Sequence, residues 1–523
     1  MPNQQQGVTL RPEVQAMLPH FATAVSPARE STELIQVSSA TKRIAFAYER
    51  FRNTLEPDEQ EILRRRAILR VLERRLFEDR PLTVIATTLL QELIRGNYIK
   101  ACPTSLADSI ARELAKAKAL YLKLDRPSAQ WLLSLVAVGV DQQLFPPNRQ
   151  EALVHLMYHD TYRRLVWTDD FVAETDRATQ LYLACHRTLY AADDYELAYH
   201  YFIRYFPSWQ EATLTPEEIL HLVRELPAFK DRMTQDLNHS ARDRLTRLLR
   251  PVAVPYIILR DILIWSPTAA FASLEALQAA GSDAFTKRVQ LTRSRMSRRA
   301  WHSILFLFLT KTTLALLFEV PYERIVLGEI HVLALLSNIT FHPILLLTLA
   351  TTVRLPGQAN AERVVEHLER IVTGEGELPT VAISKPRRYG AATWSVFALL
   401  YAVLFMLIFW GLFSLLDYLG FSLLAMFFFV IFLGLVSFLA TRIRRSVDDL
   451  RVIPRREGAI SVFTSFLALP VLEFGRWLAQ NIRQLNFLLF LMDRVLEAPF
   501  KLLIDVTEEW FDFVRDRREE IVK

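Results

Sequence analysis

His331, Asn338 and His342 stand seven and four residues apart in a stretch that is otherwise almost entirely apolar. At about 100° per residue the three positions fall within about 40° of one another, on a single helix face. Lys311, Glu319 and Glu329 are the ionisable residues nearest in sequence. In hydrocarbon such a face has to turn inward, because polar groups exposed to lipid are costly. Two chemistries are open to it. One is an ion or proton path that uses the charged residues as partners. The other, plainer one is a set of interhelical hydrogen bonds that fixes packing. Pro343, directly after His342, disturbs backbone bonding nearby.

Other chemistry is sparse. His155 and His159 lie at i, i+4 with Asp160 beside them, a spacing that can bring two imidazoles to one metal. No Glu stands between them as in H-E-x-x-H, so a polar helix face beside Tyr158 and Tyr162 is the plainer account. His186 and His200 have no sequence partner. Gly is scarce, with 14 in 523 residues. Neither phosphate-cradling glycine loop (G-x-x-x-x-G-K-[ST] or G-x-G-x-x-G) occurs, nor does a G-x-S-x-G elbow. The Asp193-Asp194 and Asp448-Asp449 pairs read as turn and helix-surface residues. Cys102 and Cys185 lie outside any C-x-x-C, which fits two small buried side chains in a reducing compartment. No catalytic residue, metal or cofactor is expected, and the reading leans away from an enzyme.

Apolar helices must position the polar face. From Ala391 to Leu416 and from Tyr418 to Ala440 there is no charge. A bilayer core of about 30 Å needs about 20 such residues, so 391–440 is a transmembrane hairpin turning at Asp417-Tyr418-Leu419-Gly420. Lys385, Arg387 and Arg388 precede it, and Arg442, Arg444 and Arg445 follow, which places both ends in the cytoplasm. Residues 301–353 suggest a second membrane-embedded hairpin of the same orientation, turning at Pro321-Tyr322-Glu323-Arg324. A buried soluble pair or a re-entrant pair are the alternatives. Arg293, Arg295, Arg298 and Arg299, with Lys287 and Arg288, form the basic cluster before it. These juxtamembrane cations suit anionic lipid headgroups.

The expected fold class is all-α. Residues 1–38 read as a flexible arm with one short helix near Pro12, and 39–299 as a cytoplasmic helical domain. Its later helices are expected at Pro216–Leu226, Ala228–Leu249, Ser266–Ala279 and Ala284–Met296. Arg64, Arg65, Arg66, Arg70, Arg74 and Arg75 read as a solvated face, with Glu59, Glu61, Glu73 and Glu78 as local partners. Residues 354–390 form a linker in which Asn360 caps a short helix, Ala361–Val372. Residues 441–523 carry an amphipathic stripe through Glu473, Arg476, Gln480 and Arg483, placed on the membrane interface or against protein. The formal net charge is +5 and the pI about 9.1. No nucleic-acid motif accompanies this charge, so nucleic acid is not an expected partner. Met1-Pro2-Asn3 opens no signal peptide, so the soluble part is expected to stay in the cytoplasm.

Lys311–Pro321 (KTTLALLFEVP), Phe341–Pro343 (FHP), Gly475–Leu478 (GRWL), Glu497–Lys501 (EAPFK) and Leu63–Ile68 (LRRRAI) resemble stretches of large uncharacterised multi-pass membrane proteins of candidate-phyla bacteria. The resemblance implies a bacterial inner-membrane location and carries no activity, cofactor or site residue. Together these readings point first to a non-enzymatic scaffold or protein-binding component at the inner face, with both termini cytoplasmic. Its partners would be the lipid bilayer and a protein partner or a second copy. An oligomeric transporter or channel is the alternative, and a membrane enzyme the third.

Overall fold

A computed structural model describes residues 8–22, 35, 60–265, 269–384, 390–453 and 458–484. Most of the expected arm, Lys385, Arg387, Arg388 and the stripe beyond Gln484 lie outside the described residues. The described residues are all-α apart from two three-residue strands, and the chain divides into two compact units.

The first unit holds Pro12–Arg164 and Val172–Leu249. Its helices are α1 (Pro12–Ala22), α2 (Gln60–Arg75), α3 (Leu82–Arg95), α4 (Ser105–Tyr121), α5 (Arg126–Leu144), α6 (Asn148–Arg164), α7 (Glu174–Tyr190), α8 (Asp194–Tyr205) and α9 (Pro216–Leu237). The centre is α5. Asp125 caps it by accepting from the Ser128 N–H at 3.3 Å, and Pro127 presets the first turn. Leu132, Leu133, Leu135, Val136, Val138 and Val140 are buried on every side of it, as in a helix enclosed by others. Helices α2, α4 and α8 pack around it. Gly139 is needed there: a Cβ would lie 2.7 Å from the Tyr199 hydroxyl and 2.9 Å from Glu113 Oε1.

Four arginines of α2 correct the expectation of a solvated face, which holds for the exposed Arg66, and the expected local partner Glu78 does meet Arg75 at 3.4 Å. Arg64 pairs with Asp141 of α5. Arg65 reaches Glu196 at 2.7 Å and Asp193 at 3.1 Å, and Arg74 and Arg75 share Glu92 of α3 at 2.6 and 2.8 Å. Most of their partners sit on other helices, out of reach of i, i+4 reasoning. A second correction concerns α9. It runs through Pro227, because buried Leu222, Leu226 and Phe229 hold both sides of the proline in one core. The chain breaks instead at Asn238–His239, where His239 Nδ1 accepts from the Ala241 N–H at 3.1 Å.

Helix α10 (Arg242–Trp265) leads into the second unit, Leu165–Phe171 and Arg250–Asn486 with the stretch before Pro12. Here α11 (Leu274–Leu314) is one continuous helix, where two short ones and a separate apolar span were expected. Gly281, between the two expected short helices, is a packing point: a Cβ would lie 2.9 Å from Leu368 Cδ2. Wider π turns at Ala315–Glu319 and Glu323–Leu327 carry the helix past Pro321. It ends at Gly328, whose φ of +80° suits glycine. The turn therefore lies at Gly328–His331 and not at Pro321–Arg324. Then follow α12 (Val332–Thr351), α13 (Gln358–Thr373), α14 (Ala391–Tyr418), α15 (Leu423–Asp448) and α16 (Ala459–Gln484).

Asn360 lies inside α13 and does not cap it. Its Nδ2 donates to the Leu450 carbonyl at 3.0 Å, and its Oδ1 accepts from Val452 and Ile453 N–H at 2.8 and 3.1 Å. It thereby holds the chain that leaves α15. The strands β1 (Leu165–Trp167) and β2 (Val381–Ile383) pair in parallel, Leu165 with Val381, and are too short to show a period of two.

Among the described residues four stretches are long and apolar enough to cross a membrane: Leu274–Leu327, Val332–Thr351, Ala391–Tyr418 and Leu423–Arg444. The protein is thus a multi-pass membrane protein. The tips of its two hairpins lie together. Ala334 packs with Leu416, Phe421 and Ala425, and a Cβ on Gly420 would lie 4.0 Å from the His331 ring. Both hairpins therefore run the same way.

Candidate functional site

Lys311 of α11, Glu319 of its first π turn, and Asn338 and His342 of α12 come together among the apolar helices, each no more than 1% exposed. Lys311 Nζ lies 2.7 Å from His342 Nδ1, and His342 Nε2 lies 3.0 Å from the Phe429 carbonyl of α15. A carbonyl only accepts, so Nε2 carries the proton and Nδ1 accepts from the lysine. The Asn338 amide donates to both Glu319 oxygens at 2.9 Å. Phe429 and Phe432 place their rings 5.3 and 5.2 Å from Lys311 Nζ, within cation–π range. The His342 ring meets Phe429 edge-on at 4.6 Å. Three helices are tied by this one network.

The seven-and-four spacing is thus realised in part. Asn338 and His342 share the inward face, whereas His331 precedes α12 and is exposed, as is Glu329 in the same turn. The reason is the turn position: with the helix starting at Val332, His331 has left the helical phase. Glu323 was missed. It is 1% exposed and accepts from the His331 N–H at 3.2 Å. Its spacing of four from Glu319 puts the two carboxylates on one face, a signal the sequence carried.

Arg293, Arg295, Arg298 and Arg299 are exposed along α11, before the apolar stretch, and Arg442 and Arg444 are exposed at the end of α15. The Arg445 side chain, with Lys385, Arg387 and Arg388, lies outside the described residues. Arg288 binds Asp261 at 2.7 Å, which takes it out of the lipid-facing set.

In the first unit, His155 and His159 are not brought to one centre. His155 joins Tyr182 at 5.7 Å, while His159 stacks edge-on with Tyr158 at 5.5 Å. The imidazoles that do meet are His186 and His200, 5.1 Å apart, with Tyr182 against His186 at 4.7 Å. His200 Nδ1 lies 3.2 Å from Glu151, and this hydrogen bond holds the Glu151 carboxyl below its usual range. Burial pushes the His186 pKa well below the ordinary imidazole value, and neighbouring His200 and His155 add to it. Among the described residues no cluster of His, Cys, Asp or Glu is placed to hold a metal ion. No protein family, curated protein or solved structure matches the chain.

Proposed function

We propose that this protein is a non-enzymatic scaffold of a bacterial cytoplasmic membrane, in which the apolar helices hold the amino-terminal helical unit at the inner face to bind a protein partner. The observation that carries this reading is the closure of the polar cluster. Lys311 ends on His342, and His342 ends on the Phe429 carbonyl, which accepts a hydrogen bond and passes no proton onward. Glu319 is taken up by Asn338. Such a cluster works as a clasp between helices. The exposed Arg293, Arg295, Arg298, Arg299, Arg442 and Arg444 support a cytoplasmic position for the hairpin ends and contact with anionic headgroups.

The test is cross-linking of the full chain in native membranes, with identification of what is joined to the helical unit, beside flux measurements on the purified chain in proteoliposomes. The scaffold reading expects a defined protein partner and no flux. A proton- or cation-dependent flux that H342A abolishes would overturn it. Reporters fused after residues 375 and 418 should report opposite faces, with 375 inside.

One observation favours the transporter reading as the second choice. A buried amine and two buried carboxylates, Glu319 and Glu323, are more charge than a clasp requires. Asn338 Oδ1 is also buried without a hydrogen-bond donor among the described residues, an acceptor open to a cation or water. On that reading, N338L removes flux while the protein still assembles.

A further inference from the structure

The charged stripe of α16 on its own suggests an interfacial or protein-packed segment, yet the contacts of this helix lie deep along the membrane helices. Among the described elements it packs most extensively along α15. At their crossing the backbones touch: a Cβ on Gly475 would collide with the Gly434 carbonyl oxygen. Phe474 meets Phe409 of α14 at 5.9 Å. At 1.5 Å per residue, Gly434 lies about 17 Å from Leu423 at the hairpin tip and about 12 Å from Arg442 at the basic end. The crossing is therefore inside the hydrocarbon, away from either headgroup layer.

The heights fix the direction of α16. Gly434 is about 21 Å before Asp448, the end of α15, and Gly475 about 24 Å after Ala459, the start of α16. The helix thus runs back along α15 towards the hairpin tips. Its 26 residues reach about 39 Å, enough for a core of about 30 Å. It carries charge at the crossing. Arg476 binds Glu473 at 2.7 Å with the two side chains 57% and 43% exposed, and Trp477 beside them is 58% exposed. Tyr401, mid-way along α14, lies within electrostatic reach of both.

An ion pair at this depth cannot face acyl chains without large cost. Opposite charges one turn apart form a self-complementary patch, because two-fold symmetry sets each Arg476 beside the Glu473 of the other copy. We propose that α16 crosses the bilayer as a fifth helix, and that its Glu473–Arg476 face is covered by the same face of a second copy of this chain. The carboxyl end of α16 at Gln484 then lies across the bilayer from its start at Ala459, in place of the interfacial stripe expected from sequence. This does not depend on what the helical unit binds.

The experiment uses the full chain. Reporters placed after residues 455 and 490 should report opposite faces. In lipid nanodiscs the mass should be that of a dimer. E473R, which sets like charges across the interface, should shift it to monomer, and E473R combined with R476E should restore the dimer. The double reversal separates a lost interface from a lost fold. W477C should cross-link between copies on oxidation, since Cys102 and Cys185 are buried and do not compete. Reporters on one face, a monomeric wild type, or a dimer indifferent to E473R would each overturn the proposal. So would labelling of W477C by a membrane-impermeant thiol reagent in a monomer, which would mean that water covers this face.

Discussion

Replacing His342 by Phe keeps an aromatic ring against Phe429 and Phe432 but removes the only nitrogen acceptor that meets Lys311 among the described contacts. Lys311 is 1% exposed, so its ammonium cannot recover water. Breaking one member of such a buried charged contact costs about 3–5 kcal/mol, whereas replacing both members by apolar groups is often close to neutral. K311M alone leaves His342 Nδ1 without its donor, a loss of about 1–3 kcal/mol. The combination K311M/H342F removes both polar ends. It should be less damaging than H342F alone, with a non-additive term of at least about 2 kcal/mol. The assay is a double-mutant cycle on the purified full chain, unfolded by SDS from mixed micelles and followed by tryptophan fluorescence. If H342F costs less than about 1 kcal/mol, or the two effects simply add, the lysine–histidine contact does not clasp these helices.

Three further outcomes are expected. G475A drives a methyl group into the Gly434 backbone oxygen, which no rotamer change can move. It should cost about 1–3 kcal/mol of stability in detergent, and an unchanged thermal midpoint would deny the close crossing. E92Q removes the charge that Arg74 and Arg75 share at 2.6 and 2.8 Å. It should weaken the α2–α3 contact by about 2 kcal/mol, seen as faster amide exchange in both helices, while unchanged exchange would return those arginines to solvent. The first unit should also lose stability in acid. The folded state holds His186 well below the ordinary imidazole value of 6.5, so the unfolded chain binds the extra proton. Its contribution is complete above that value and falls as pH drops below it. Glu151, held below the ordinary carboxyl value of 4.5, adds a second loss as pH falls towards its lowered folded pKa. Thermal midpoints measured downward from about pH 7 should show the first loss in the wild type and its absence in H186F.

The parts of this fold that were legible in the sequence are those set by local sums. An apolar run either is or is not long enough to cross about 30 Å, so the 391–440 hairpin and its tip are found where composition puts them. The helical period is local too, which is why Asn338 and His342 do share one face. Glu323 was readable on the same ground and was masked by taking Pro321 as a turn.

Tertiary structure alone decided what each polar group meets. Lys311 and His342 are 31 residues apart, and Arg65 and Glu196 are 131 apart. No spacing rule reaches that far, because those pairings exist only once helices have packed. The same holds for glycines: neighbouring helices come close enough to Gly281 and Gly475 to forbid a Cβ, which no local pattern announces. It also holds for α16, whose charges suggest an interfacial helix on their own. Only its backbone contact with Gly434 sets those charges beside the middle of α15. Hydrophobic length is a property of one segment, whereas the partner of a buried charge is a property of the packed assembly, and for that reason the sequence determined the spans and the structure determined the clasp.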